Sequence, residues 1–220
     1  MLRGISLKNK KNIIITGASG QVGSSIVRIL TKDFNVITIS RKKTNYKNHF
    51  ICDDLSNKES ALKTYQNIFQ KFSNIDVIIN VAGGFDMGKP VEAQEWQKMM
   101  NINFDTMLNS TVNVLPIMKK NNYGRIINFG SVAAINGMAL AGPYCVSKAA
   151  VHNFSKTLAL ELDKSITCNV LAPSIIDTKT NRDAMPNEDY TKWIGIDMIA
   201  DKIKYLINSN DSGEVVLFDT

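Results

Sequence analysis

Tyr144 and Lys148 stand four residues apart, the spacing that places two side chains on one face of an α-helix. An ammonium beside a phenol favours the phenolate. The pair therefore predicts a tyrosine whose pKa falls from its free value of about 10, usable as a proton donor or acceptor near neutrality. Ser131 precedes Tyr144 by thirteen residues, just past the run Arg125–Phe129. From such a strand end its hydroxyl can bind a substrate oxygen as charge develops there.

A second chemical feature lies near the start of the chain. Between the apolar run Asn12–Thr16 and a helix-period segment sits the turn Gly17-Ala-Ser-Gly20-Gln-Val-Gly23. Its glycines let backbone approach a pyrophosphate at the positive end of a helix; a tight strand–helix connection without a ligand uses glycine in the same way. The GK[ST] ending of a phosphate-binding P-loop is missing. After the second strand the sequence reads Ser40-Arg41-Lys42-Lys43, where NAD-preferring domains carry a carboxylate for the ribose 2′-hydroxyl. The planar fork of Arg41 suits a 2′-phosphate, with Ser40 as a second contact, so NADP(H) is expected over NAD(H).

These groups need a scaffold, and the sequence alternates short β-branched runs with amphipathic segments. Asn12–Thr16, Asn35–Ser40, His49–Cys52, Ile75–Asn80, Arg125–Phe129, Ile166–Leu171 and Glu214–Phe218 are predicted strands. Gly20–Thr31, Lys58–Phe72, Glu92–Lys120, Tyr144–Leu162 and Asp197–Asn208 are predicted helices. Such alternation implies an α/β fold of Rossmann type, a doubly wound parallel seven-stranded sheet with helices on both faces. The irregular stretch from Pro173 to Ile196 follows a strand end, where open α/β sheets bind ligands, and is a candidate lid.

The chain of 220 residues suits one domain, 1–220. Hydrophobic residues at 44% and charged residues at 21% are the proportions of a globular protein. No secretory h-region follows Met1 to Lys11, and no apolar run approaches spanning length, so a cytoplasmic protein without membrane association is expected. Three cysteines, Cys52, Cys145 and Cys168, lack a CxxC spacing and suggest neither disulfides nor zinc. His49 and His152 are too isolated in sequence to suggest a metal cluster, and GxSxG and HExxH are missing. The net charge of +6 is scattered over many lysines, which argues against nucleic-acid binding.

With these residues in view the sequence resembles the short-chain dehydrogenase/reductase family: TGASGQVG at Thr16–Gly23, Asn80-Val81-Ala82-Gly83, Asn103, Ser131, Tyr144 and Lys148 occur in the family's order over nearly the whole chain. The resemblance implies a tetrad in which Tyr144 is the general acid/base, Lys148 tunes it and binds the nicotinamide ribose, Ser131 polarises the substrate, and Asn103 anchors a relay water. It also implies cofactor contacts from Gly17, Ser19, Gly20, Val22 and Gly23, from Asp54 and Leu55 at the adenine, from Asn80, Ala82 and Gly83 beside the sheet, and from Pro173 and Thr178 at the nicotinamide. The chain departs from the family in its GxxGxxG spacing, in Val81 where a second Asn is usual, and in Ser174 where many members have Gly.

Asp177-Thr178, Asn181-Arg182, Met185-Pro186 and Trp193 resemble the lid of dihydropteridine reductases and related bacterial members, making Arg182 and Trp193 candidate substrate contacts beside Ser131 and Tyr144. Trp193 can equally anchor the lid. Dihydropteridine reductases generally carry the acidic residue after the second strand and lack the catalytic serine, unlike this chain. Reduction or oxidation of a small carbonyl/alcohol pair is thus the expected activity, with reduction of a quinonoid dihydropterin, or a dinucleotide-sensing role without turnover, as alternatives. By the same resemblance a homodimer or homotetramer is expected, through Glu92–Lys120 and Tyr144–Leu162.

Overall fold

In the computed structural model, residues 10–218 are described; most of the leading segment Met1–Lys11 lies outside them. Seven strands form one parallel sheet: β1 (Asn12–Thr16), β2 (Asn35–Ser40), β3 (His49–Ile51), β4 (Val77–Asn80), β5 (Gly124–Phe129), β6 (Ile166–Pro173) and β7 (Val215–Phe218), in the order β3-β2-β1-β4-β5-β6-β7. Every pairing is parallel. The order reverses between β1 and β4, so the crevice above their carboxyl ends is where such a sheet takes a ligand.

The central strands are nearly continuous Ile and Val because both faces are covered. Successive side chains point to opposite faces. Ile13, Ile15, Val77, Ile79 and Ile127 pack with helices α1 (Gln21–Leu30) and α8 (Ile196–Asn208) in one core. Ile14, Ile78 and Ile126 face α2 (Lys58–Lys71), α4 (Thr106–Lys120) and α6 (Gly142–Glu161) in the other. Among the described residues, no helix is long and apolar enough to cross a membrane.

The continuous helix expected over Glu92–Lys120 is broken. A 3-10 turn spans Val91–Ala93, α3 runs Trp96–Met100, a π turn covers Asn101–Asp105, and α4 follows. Hydrophobic periodicity reads the helix but is blind to the extended Gln94 and to the widened turn. The short α5 (Ala133–Asn136) follows β5. The stretch after β6 is more ordered than expected, holding α7 (Lys179–Ala184) and a 3-10 turn at Tyr190–Lys192. Its two ends meet where Ile194 N donates to Ile175 O at 2.8 Å and Asp177 N to Ile194 O at 2.9 Å.

Candidate active site

The sheet and α6 bring the four expected catalytic residues together. Asn103 sits in the π turn, where Thr106 N closes on Asn101 O across five residues instead of four; π turns concentrate at functional positions because they turn one side chain out of the helical register. The buried Asn103 amide has both of its N–H groups engaged. Its Nδ2 donates to Gly84 O at 3.0 Å and Ser147 Oγ at 3.0 Å, and its Oδ1 accepts from Gly84 N at 2.9 Å. Gly84 lies in the loop after β4 and Ser147 lies between Tyr144 and Lys148, so Asn103 ties that loop to α6. A side chain at Gly83 would start 2.7 Å from Asn103 Oδ1 and 3.6 Å from Lys148 Nζ, which leaves room there for glycine alone.

Lys148 is buried, and its Nζ donates to Phe129 O at the end of β5 at 2.7 Å. Burial disfavours its charge and brings its pKa down to about 8. Tyr144 departs from the expectation. Its pKa is raised, because burial outweighs the hydrogen bond from the Ser131 hydroxyl that pulls the other way. One N–H of the Lys148 ammonium is used on Phe129 O, and its Nζ lies 6.0 Å from the centre of the phenol ring. Phe85, 54% exposed, stands edge-on to the Tyr144 ring with centroids 4.8 Å apart.

The glycine turn has the form that a dinucleotide needs. Gly17 has φ +70°, and a Cβ on it would sit 2.8 Å from Ala82 backbone, so its lack of a side chain is required twice. Ala82 N donates to Thr16 Oγ1 at 3.1 Å, clamping the loop after β4 onto this turn. Helix α1 follows Gly20, which offers it no side-chain cap, and this leaves the N–H groups around Gln21, Val22 and Gly23 for an anion. Ser19 is exposed at its lip. Ser40 is buried and donates to Lys42 O at 2.8 Å, and Arg41 stands exposed beside it. Asp54 Oδ1 accepts from Ser56 N and Oγ, while Leu55 O and Ser56 O accept from Asn109 Nδ2, fixing the loop after β3 to α4. Asn80 lies within the sheet, donating to Asn128 Oδ1 at 2.8 Å and Thr111 Oγ1 at 3.1 Å.

On the opposite wall Pro173 O accepts from Val132 N, and the Thr178 hydroxyl caps α7 by accepting from Asn181 N at 3.2 Å. Arg182 forms a two-pronged ion pair with Asp177, at 2.6 and 2.7 Å, and stacks over Tyr190 at 4.7 Å. Trp193 is 9% exposed and packs on Tyr190, ring centres 4.7 Å apart. In this arrangement Arg182 and Trp193 are both engaged within the stretch 173–196. Among the described residues no group of three His, Cys, Asp or Glu side chains could hold a metal.

Three participants went unread in the sequence. Ser147 and Phe85 carry no pattern that marks them. His152 does, as the next step of the four-residue spacing from Tyr144 and Lys148, and its Nε2 accepts from Ser131 N at 3.2 Å.

A Rossmann-type sheet with an uncapped glycine turn and a Tyr–Lys pair at its carboxyl edge defines a dinucleotide-dependent oxidoreductase. The chain belongs to the short-chain dehydrogenase family, whose model matches residues 11–189. It is 31% identical over 183 residues to a 3-oxoacyl-[acyl-carrier-protein] reductase of Buchnera aphidicola, covering 77% of this chain and 75% of that one. Its identity to a dihydropteridine reductase of Dictyostelium discoideum is 29% over 221 residues, 96% of this chain and 95% of the relative. Among solved structures, ElxO with NADP bound superposes with a TM-score of 0.85 at 26% identity, over 96% of this chain and 97% of that one.

Proposed function

We propose that this protein transfers hydride between NADP(H) and a small carbonyl/alcohol pair, with Tyr144 as general acid/base. The observation that carries the reading is the convergence of Tyr144, Ser131, Lys148 and Asn103 through α6, the end of β5 and the loop after β4. Bound nicotinamide supplies or takes the hydride. In the reducing direction Ser131 holds the substrate oxygen by hydrogen bonding and Tyr144 Oη gives it a proton; burial, which keeps the phenol protonated, suits this role. The Lys148 ammonium favours the phenolate that remains, and Asn103 holds the Gly84 loop and a relay water beside the lysine.

Gly17, Ser19, Gly20, Val22 and Gly23 would hold the pyrophosphate, and Asp54 and Leu55 the adenine. Asn80, Ala82 and Gly83 support the cofactor floor, Lys148 takes the nicotinamide ribose, and Pro173 and Thr178 flank the nicotinamide. The 2′-phosphate of NADP falls to Arg41, with Ser40 closing the turn. Charge-assisted hydrogen bonds of this kind are worth about 1.5–3 kcal/mol, so Arg41→Ala is expected to weaken NADPH binding by about 10- to 100-fold while leaving NADH binding near its original value. Fluorescence titration with both nucleotides reads this directly, and equal losses for both would remove the NADP assignment.

Arg182 and Trp193 are assigned to holding the lid closed, given their contacts with Asp177 and Tyr190. Assembly through α4 and α6, where Val112 and Leu160 are exposed, belongs to the same reading. A second substrate class is favoured by the near full-length match to a dihydropteridine reductase. Initial rates of NADPH oxidation with a 3-oxoacyl thioester, simple ketones and quinonoid dihydropterin separate the two. A rate with ketones or the thioester is expected. A rate with the pterin alone would transfer the assignment to it, and tight NADPH binding with no turnover anywhere would favour a sensor.

A further inference from the structure

His152 lies outside the tetrad, yet it continues the face of α6 that presents Tyr144 and Lys148. Its place is explained by a backbone group. Beyond β5 the ladder to β6 goes on: Gly130 N donates to Leu171 O at 2.8 Å, and Val132 N donates to Pro173 O at 3.2 Å. Alternate N–H groups of a strand point to opposite sides, so the N–H between them, that of Ser131, points away from β6. On that side pairing with β4 has already ended at Asn80 and Asn128. Ser131 is buried, and a buried amide requires an acceptor. The acceptor is His152 Nε2, at 3.2 Å.

Only an unprotonated nitrogen accepts, so the ring proton resides on Nδ1. The surroundings hold the ring neutral: burial first, then the charges of Lys148 and Lys156, bring its pKa down to about 4. Space has been cleared for it as well. A Cβ on Gly130 would sit 2.0 Å from His152 Nε2 and 2.6 Å from Val170 Cγ1, so the imidazole occupies volume that any other residue at 130 would claim. On the far side Ser131 Oγ accepts from Ala133 N at 3.2 Å. The serine is thus held at its amide by His152 and at its hydroxyl by the start of α5, leaving the hydroxyl proton to face the phenol.

We infer that His152 is a positioning residue for Ser131: by accepting the serine's backbone N–H it fixes the peptide from which the hydroxyl meets the substrate oxygen. The inference rests on the catalytic role of Ser131 proposed above. A residue that merely filled space would be replaced by leucine without consequence for the chemistry, whereas glutamine retains a carbonyl able to accept in place of Nε2.

The test compares the full chain with His152→Leu and His152→Gln, reading kcat and KM for a reduced ketone, the NADPH dissociation constant and the melting temperature. Loss of an interaction used in the chemical step lowers kcat at unchanged cofactor affinity. The expected result is a fall in kcat of about tenfold or more in the leucine variant, NADPH binding within about twofold of wild type, and recovery to within about threefold by glutamine. Wild-type kcat in the leucine variant, or glutamine no better than leucine, overturns the inference. A measurement independent of turnover accompanies it: the imidazole 15N resonances of the NADPH-bound wild type at pH 7, with His49→Asn assigning the two rings. An unprotonated Nε2 with the proton on Nδ1 is expected. A proton on Nε2 removes the acceptor and the inference with it, even where no ketone is turned over and the functional reading itself fails.

Discussion

The two walls of the cleft are built in opposite ways. On the wall of β4, β5 and α6, the polar groups are buried and almost every one is tied to backbone: Lys148 to Phe129 O, Asn103 to Gly84, Ser131 to the start of α5 and to His152. On the wall of residues 173–196 backbone bonds join Ile194 to Ile175 and Asp177, while the charged side chains tie to one another at the surface, Arg182 to Asp177 and to Tyr190, with Trp193 below them. One wall is anchored in buried sheet and helix, whereas the other carries its charged contacts at the surface over a nearly buried Trp193. Solvent screens an ion pair at the surface, so it adds little against the opening of a loop.

The contrast is broken most strongly at Tyr144. Removing the proton donor in Tyr144→Phe is expected to lower kcat by about 1,000-fold or more, with NADPH affinity and melting temperature near wild type; retention of more than a tenth of the rate would place the acid/base elsewhere. The next effect is on the lid. Trp193→Ala removes a nearly buried indole, and such truncations cost about 3–5 kcal/mol. The loss is expected to fall on residues 173–196 alone, seen as faster proteolysis and amide exchange there while α6 stays protected. A loss spread over the whole molecule would show that the lid is part of the core.

A pH series sharpens the comparison on the rigid wall. Lys148 has a folded pKa of about 8 against 10.5 for a free lysine, so between those values the unfolded chain carries the proton that the folded one has lost. Stability from this group therefore rises with pH across that window. Lys148→Met lacks the slope, so its melting temperature relative to wild type is expected to decline steadily from pH 8 to 10.5; parallel curves would mean that the ammonium is not buried. The smallest effect belongs to Asp177→Asn. Solvent screens the pair, so the melting temperature is expected to stay near wild type, with KM moving more than kcat as the segment loosens.

The sheet and four of the five expected helices were legible because periodicity encodes them directly. The break in Glu92–Lys120 was not, since a π turn retains the apolar pattern of a helix while adding one residue to a single loop. The pKa of Tyr144 was misread for a different reason. Sequence spacing shows that Lys148 is near but not that its ammonium is committed to Phe129 O, nor how dry the pair becomes. His152 was passed over as an isolated histidine because its partner is a main-chain amide, which no side-chain motif can reveal.

The π turn at Asn101–Asp105 has a consequence for the chain's tolerance of length changes. In an α-helix each residue advances the rotation by about 100°, so the extra residue is a phase correction between α3 and α4. Deleting one residue at Ile102 or Phe104 would let the helix run regularly, yet it would swing Trp96 and Met99 about a quarter turn against α6 and carry the Asn103 amide away from Gly84. A deletion that improves the helix would thereby unmake the cleft, a case in which the locally better structure is the wrong one.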